Sequence, residues 1–191
     1  GVVLGFKGQG SNRIVDMREC HVLAPSLFDL ISPLRRLLAS ILPPRRGGEV
    51  RLTLCDQGVD MAIAGVSIEG LAATEAVTEF AERHQLARLA LDEGYGLETR
   101  IEPVPATVTL SGVPVAFPPG AFLQATADGE TAVVEAVREI TAGARTIADL
   151  FAGLGTFALA LEGELFAAEA SRAAAVALKA ARPTLAVEHR D

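Results

Sequence analysis

The chain has 191 residues, half of them apolar, enough for one large or two small domains with a sizeable core. A formal charge of -7, from 24 acidic against 17 basic residues, excludes a surface that grips nucleic acid with every face. No run of roughly 18 apolar residues occurs, which argues against a membrane-spanning helix, and the low cysteine usage suits a cytoplasmic protein.

Residues 1–6 lack the basic start and the small-residue cleavage site of a signal peptide. They read as a strand entered partway, as if the chain began inside a larger protein. Gly8-Gln9-Gly10-Ser11-Asn12 is a turn signal between two short strands. Across residues 26–42, Leu27, Leu30, Ile31, Leu34, Leu37, Leu38 and Ile41 recur at helical spacing, and Pro43-Pro44 ends that helix. Residues 49–55 and 59–64 alternate in polarity around Asp56-Gln57-Gly58, the pattern of a hairpin. A second helix is expected over 71–84, strands over 86–91 and 97–101, and another hairpin over 108–115, with Pro114 placing it at a sheet edge.

Pro118-Pro119-Gly120 marks a change of character. Beyond it the pattern alternates: helix 128–141, strand 146–151, helix 155–161, strand 165–169, a helix capped by Ser171, and strand 184–188. Alternating β and α segments imply a parallel sheet with right-handed crossovers. The expected fold is therefore α/β. A mixed α+β domain over 1–117 precedes the first part of a Rossmann-like parallel sheet over 118–191. Half of such a sheet exposes a strand edge, which invites pairing with another chain.

Ligands of such sheets lie beyond the carboxyl ends of the strands. Those ends are Asp149-Leu150-Phe151, Glu169 and His189-Arg190-Asp191. Between the first two lies Ala152-Gly153-Leu154-Gly155-Thr156, where two glycines allow a sharp turn and close approach of a ligand to the backbone. The N–H groups around Gly153 and Gly155 are candidates to hold a ligand carboxylate. Glu169 is either a ribose acceptor or a solvated strand end, and Phe151 taken alone is a core residue.

The wording Asp149-Leu150-Phe151-Ala152-Gly153-Leu154-Gly155-Thr156-Phe157 resembles the cofactor motif of the S-adenosylmethionine-dependent RNA (uracil-5-)-methyltransferase family. Two further segments, in the family's order, resemble it as well. Pro119-Gly120-Ala121-Phe122-Leu123-Gln124-Ala125 is similar to its Phe-x-Gln segment. Residues 14–25, from Ile14-Val15-Asp16 to Leu23-Ala24-Pro25, are similar to the opening of its central domain. The resemblance implies a class I methyltransferase sheet and S-adenosylmethionine as cofactor. Gln124, Phe151, Gly153, Gly155, Thr156, Glu169 and Asp191 fall at its cofactor-binding positions. Phe122 either stacks on a base or is buried. The implied partner is ribosomal or transfer RNA, methylated at carbon 5 of a uridine.

In the family a cysteine thiolate adds to carbon 6 of the base, and a general base later removes the proton from carbon 5. Both lie beyond the third strand, and neither Cys20 nor Cys55 matches the nucleophile. No catalytic residue is therefore expected within these residues, and the chain alone should not turn over. Cys20 matches the fourth ligand of the iron–sulfur cluster found in some members, whose other three cysteines come from a segment nearer the N-terminus. A cluster is thus an expectation for a parent protein and not for this chain. The stretch from Thr156 to Glu169 is shorter than the family's by a few residues. Two other readings stay open: a class I methyltransferase with another substrate, and a non-catalytic RNA-binding or assembly module. Arg35, Arg36, Arg45 and Arg46, the densest basic stretch, read as a solvated helix face and loop.

Overall fold

The computed structural model describes residues 1–190. Asp191, expected at the cofactor, lies outside the described residues. Chain contacts divide into two compact units, Gly1–Leu54 with Gly58–Val104, and Cys55–Gln57 with Pro105–Asp191.

The first unit opens with the antiparallel hairpin β1 (Gly5–Lys7) and β2 (Ile14–Asp16). The helix expected over 26–42 is two helices, α1 (Pro25–Phe28) and α2 (Ile31–Ile41). Pro33 explains the break. It has no N–H to give to the Asp29 carbonyl four residues earlier, and its ring crowds that carbonyl. A sheet in the order β3 (Glu49–Cys55), β4 (Gly58–Ala64), β5 (Arg88–Asp92), β6 (Glu98–Ile101) follows. Strands β4 and β5 are parallel, with α3 (Leu71–Arg83) between them in the chain. Leu34, Met61, Ile63, Val77, Phe80 and Leu89 form the centre of this unit's core.

Register in that sheet is fixed by charge as well as by packing. Asp60 and Arg88 are direct cross-strand partners. Arg88 is only 2% exposed, and its Nε and Nη2 donate to Asp60 Oδ1 and Oδ2 at 2.8 and 3.0 Å. Glu102 approaches Arg88 Nη1 at 3.4 Å. A buried guanidinium is tolerated only when a carboxylate matches its fork, so a slip of one residue would strand both charges.

The second unit begins with the antiparallel hairpin β7 (Thr107–Leu110) and β8 (Val113–Ala116). The sequence reading put this hairpin ahead of the boundary at Pro118; its contacts are with the second unit, where α5 packs against β8. Asp56 and Gln57 belong to the same unit: Asp56 accepts from the Thr107 and Thr109 hydroxyls at 2.7 and 3.1 Å, and Gln57 accepts from the Thr107 N–H at 2.8 Å. Next comes α4 (Ala127–Ile140), capped by Thr126, whose hydroxyl accepts the Gly129 N–H. The parallel sheet then forms in the order β11 (Ala186–His189), β10 (Glu164–Glu169), β9 (Thr146–Leu150). Helix α5 (Arg172–Ala181) connects β10 to β11, and Ser171 caps it by accepting the Ala174 N–H. The parallel strands expected beyond Pro118 are present, with α4 and α5 where two of the three helices are expected. Among the described residues no helix is long and apolar enough to cross a membrane.

One expected element is replaced. Residues 153–160 form hydrogen-bonded turns, and the helix expected over 155–161 is not a regular one. Leu159 N–H reaches Gly155 O at 2.8 Å and Leu161 N–H reaches Phe157 O at 3.0 Å, after which the chain enters β10. The shortness of this connection leaves no room for further turns, so side chains satisfy the backbone groups that a longer helix would pair internally. Asp149 Oδ2 accepts the buried Ala158 N–H at 3.0 Å. Arg138 Nε donates to Ala160 O at 3.1 Å, and Arg182 Nη1 to Ala158 O and Leu161 O at 2.5 and 3.3 Å. Two cations thus sit where carbonyls accumulate and an anion sits where an N–H is bare.

Asp149 should be the most sensitive of these staples. Asp149→Ala leaves the Ala158 N–H buried without an acceptor, and should cost about 1–3 kcal/mol in urea unfolding. Asp149→Asn retains an acceptor oxygen and should cost less. Burial holds the Asp149 carboxyl above its ordinary range, opposed by the Ala158 N–H and assisted by the Glu169 charge. The folded state therefore binds that proton more tightly than the unfolded chain does. The stability contributed by the proton is full below about pH 3.9 and is lost as pH rises through the elevated pKa. The Asn variant, with no proton to release, should gain on the wild type over that rise. A stability difference between the two that stays flat with pH contradicts the account.

Candidate functional site

The carboxyl ends of β9 and β10 build the site. After Leu150 the chain turns through Phe151, at φ +60°, a left-handed conformation that costs a non-glycine residue roughly 1–2 kcal/mol. Phe151 is 86% exposed, so its ring is not the core residue that the amino-acid type by itself suggests. An exposed aromatic held in a costly backbone conformation at a strand end is the kind of strain that persists at ligand sites. Ala152 is buried, and its N–H bonds to Ala168 O at 3.1 Å, tying the turn back to β10.

The two glycines do different work. Gly155 has φ +97°, and a Cβ there would meet Leu178 Cδ1 of α5 at 2.4 Å. It is a packing glycine, required for the close approach of the turn to α5. Gly153 has φ +57°, and a Cβ there would find nothing within 4 Å. Its surface is open, which leaves a bare backbone cradle beside Phe151.

Glu169, the last residue of β10, faces this cradle. Its Oε2 accepts the Gly153 N–H at 2.7 Å and its Oε1 accepts the Ser171 N–H at 2.6 Å. The N–H groups of the two glycines themselves have partners within the protein. The Gly153 N–H is committed to Glu169 and the Gly155 N–H to Ala152 O at 2.8 Å. A turn this tight satisfies its own donors, and Glu169 is near enough to take the first of them. Each carboxylate oxygen keeps a further lone pair. Glu169 is thus neither a loose strand end nor a saturated one: two backbone donors hold it in place and acceptor capacity remains.

Phe151, Gly153, Gly155, Thr156 and Glu169 are therefore brought together around one turn. Thr156 is half-buried within it. Gln124 lies in the irregular segment between β8 and α4, half-buried, and its side chain makes no hydrogen bond among the described residues. Phe122 in the same segment is 77% exposed, which settles its open alternative against burial. Sequence reasoning missed His189 as a structural partner. It stands opposite Glu169 in the β10–β11 register, and its Nε2 lies 2.9 Å from Ala170 O. It also missed Asp149, Arg138 and Arg182 as staples. The spacing of Asp149 ahead of the glycines was the available signal for the first; the two arginines carry no local signal.

Cys20 is half-buried, and its Sγ accepts the Leu23 N–H at 3.4 Å; Cys55 is buried at the end of β3. Four thiolates are needed for an iron–sulfur cluster of the common types, so the two cysteines of this chain do not hold one between them. Among the described residues no group of three or more His, Cys, Asp or Glu is placed to hold a metal ion.

No family model matches the chain. Curated relatives do. An uncharacterized RNA methyltransferase of Zymomonas mobilis is 45% identical over 196 aligned positions, covering 100% of this chain and 49% of the relative. One from Brucella melitensis is 36% identical, covering 93% of this chain and 42% of the relative. The 23S rRNA (uracil(1939)-C(5))-methyltransferase RlmD of Tolumonas auensis is 32% identical, covering 85% and 37%. The chain thus spans less than half the length of these relatives. Among solved structures, the tRNA (uracil-54, C5)-methyltransferase of Pyrococcus abyssi, in complex with S-adenosyl-L-homocysteine, superimposes with a TM-score of 0.65. It is 18% identical, with 92% of this chain and 48% of that one covered, and the likeness speaks for the fold. With the glycine turn, the strand order and these relatives in agreement, the chain belongs to the RNA (uracil-5-)-methyltransferase family and carries the class I methyltransferase type of parallel sheet.

Proposed function

We propose that this chain supplies the cofactor-binding part of an S-adenosylmethionine-dependent enzyme that methylates carbon 5 of a uridine in ribosomal or transfer RNA. The observation that carries this reading is the pairing of Glu169 with Gly153, a carboxylate clamped at the end of β10 beside an open glycine backbone at the end of β9. Residues 118–191, with the β7–β8 hairpin joined to them, then form the first part of the methyltransferase domain, and the rest of residues 1–117 a central domain. The enzyme is proposed to work in the cytoplasm.

The residues fit the cofactor. A ribose presents two neighbouring hydroxyls, and the free lone pairs of Glu169 can accept both. Gly153 offers the open backbone that a nucleoside needs in order to lie close. Phe151 presents an exposed ring at the same turn. S-adenosylmethionine, when bound, supplies an activated methyl group. Glu169 orients its ribose, and Gly155 keeps the turn seated on α5. Gln124, unpartnered, is proposed to face the methyl donor and the target base. Neither Cys20, engaged with Leu23, nor the buried Cys55 is placed as a nucleophile by its surroundings. Cys20 can serve at most as one ligand of a cluster completed by residues outside this chain.

Calorimetry with S-adenosylmethionine tests the site. Glu169→Ala removes the charged acceptor and should weaken binding by about 1–3 kcal/mol, roughly 5- to 150-fold. Unchanged affinity would reject the role of Glu169. The glycines provide a second test with opposite expectations. Gly155→Ala drives a methyl into Leu178 and should lower the unfolding midpoint before any effect on ligand is read. Gly153→Ala meets no atom of the protein, so it should be tolerated to within about 1–2 kcal/mol of stability yet impair cofactor binding. If Gly153→Ala binds as the wild type does, the cradle is not where the cofactor lies.

A further inference from the structure

The β1–β2 hairpin carries a feature that the cofactor site does not use. Phe6 and Val15 are direct cross-strand partners and so share one face of the hairpin. Phe6 is 64% and Val15 59% exposed. A two-stranded ribbon gains nothing for its own fold from an aromatic ring left in water, and aromatic rings are among the side chains most rewarded by burial.

Among the described residues, the charges of the hairpin that lack an ion-pair partner are both cations, one on each face of the ribbon. Lys7 adjoins Phe6 in the chain, and Arg13, with its carbonyl bonded to the Gly8 N–H, extends the ladder beyond Ile14; both are exposed. By strand alternation Arg13 shares the Phe6–Val15 face. Arg18 is exposed just past β2. The acids of residues 1–20 are Asp16 and the exposed Glu19 beyond β2; Asp16 is engaged by Arg35, with Arg18 at 3.6 Å. Among the described residues neither Lys7 nor Arg13 has a carboxylate partner; Arg13 stands on the ring's face and Lys7 on the other face of the same two-stranded ribbon. The ring stands on the face of Gly5–Lys7 opposite the one that Asp16 ties to α2.

From this combination we infer that the β1–β2 hairpin is a contact surface for single-stranded RNA. Phe6 stacks on a base against the apolar floor of Val15, Arg13 holds a flanking phosphate on that face, and Lys7 meets the next phosphate where the strand passes round the narrow ribbon. Aromatic rings interleaved with cations are how proteins bind unpaired nucleotides, because every base has a stacking face and every phosphate a charge. An apolar protein partner would not call for the cations, and a duplex would not call for the exposed ring. The inference rests on the RNA-methylating reading for the identity of the partner and is independent of the cofactor residues.

The test is fluorescence anisotropy of a labelled single-stranded oligouridine, about twelve nucleotides long, titrated with this chain over a series of salt concentrations. Phe6→Ala should weaken binding about 5- to 150-fold, the loss of one stacked base. Lys7→Gln and Arg13→Gln should each flatten the dependence of log affinity on log salt by roughly 0.7. All three side chains are exposed, so thermal midpoints should stay with the wild type. S-adenosylmethionine binding, measured by calorimetry on the same samples, should not change. Variants that bind RNA like the wild type, at every salt concentration, overturn the inference and leave the RNA reading standing. A wild-type chain that binds cofactor but no oligouridine also overturns it. A chain that binds neither removes the inference together with the proposed function. Self-association that Phe6→Ala abolishes, with RNA affinity untouched, would reassign the face to a second copy of the chain.

Discussion

The second unit turns on one carboxylate. Glu169 accepts from Gly153 on one side and Ser171 on the other. Those two N–H groups belong to the turn after β9 and to the entry of α5. A single side chain therefore ties the ends of two strands and the start of a helix. The arrangement is economical because backbone N–H groups at a turn and a helix entry would otherwise need water, and because charge-assisted bonds are stronger than neutral ones. It also fixes the orientation of the carboxylate, which keeps acceptor capacity beyond those two bonds.

The same unit shows how a parallel sheet survives a shortened crossover. Between β9 and β10 there is no regular helix to cover the sheet, yet Ala158, Leu161 and Leu178 still form a closed cluster with Leu165, Ala167 and Leu185. Asp149 from below and Arg138 and Arg182 from the flanks replace the hydrogen bonds that extra turns would have made. The cost appears as a carboxyl pushed out of its ordinary range by burial. Gly155 completes the arrangement, since only a residue without a side chain lets Leu178 come so close.

The first unit is organised by a different pairing on the same principle. Arg88 and Asp60 lock the register of two parallel strands from inside the core. The Phe6–Val15 face of the β1–β2 hairpin stays outside that core, while Asp16 on the other face ties the hairpin to α2. A surface that contributes little to stability is one that can be given to a partner, because its side chains can change with small effect on the fold.

Much of this was legible along the chain. Pattern and turn chemistry placed the hairpins at Gly8–Asn12, Asp56-Gln57 and Ser111-Gly112, the alternation of β and α beyond Pro118, and the motif from Asp149 to Phe157. These are local properties, set by residue spacing and by the few residue types that allow tight turns. Pro33 was also there to be read as the break between α1 and α2, but the regular spacing of the leucines hides it. The division of labour between Gly153 and Gly155, the exposure of Phe151, and the commitment of the glycine N–H groups to Glu169 and Ala152 came only with the tertiary structure. So did the stapling of the crossover by Arg138 and Arg182. Each depends on which atoms arrive beside one another from distant parts of the chain: Leu178 beside Gly155, Glu169 beside Gly153, Arg182 beside Ala158. A sequence states which donors, acceptors and volumes exist; only the packed fold decides which of them meet.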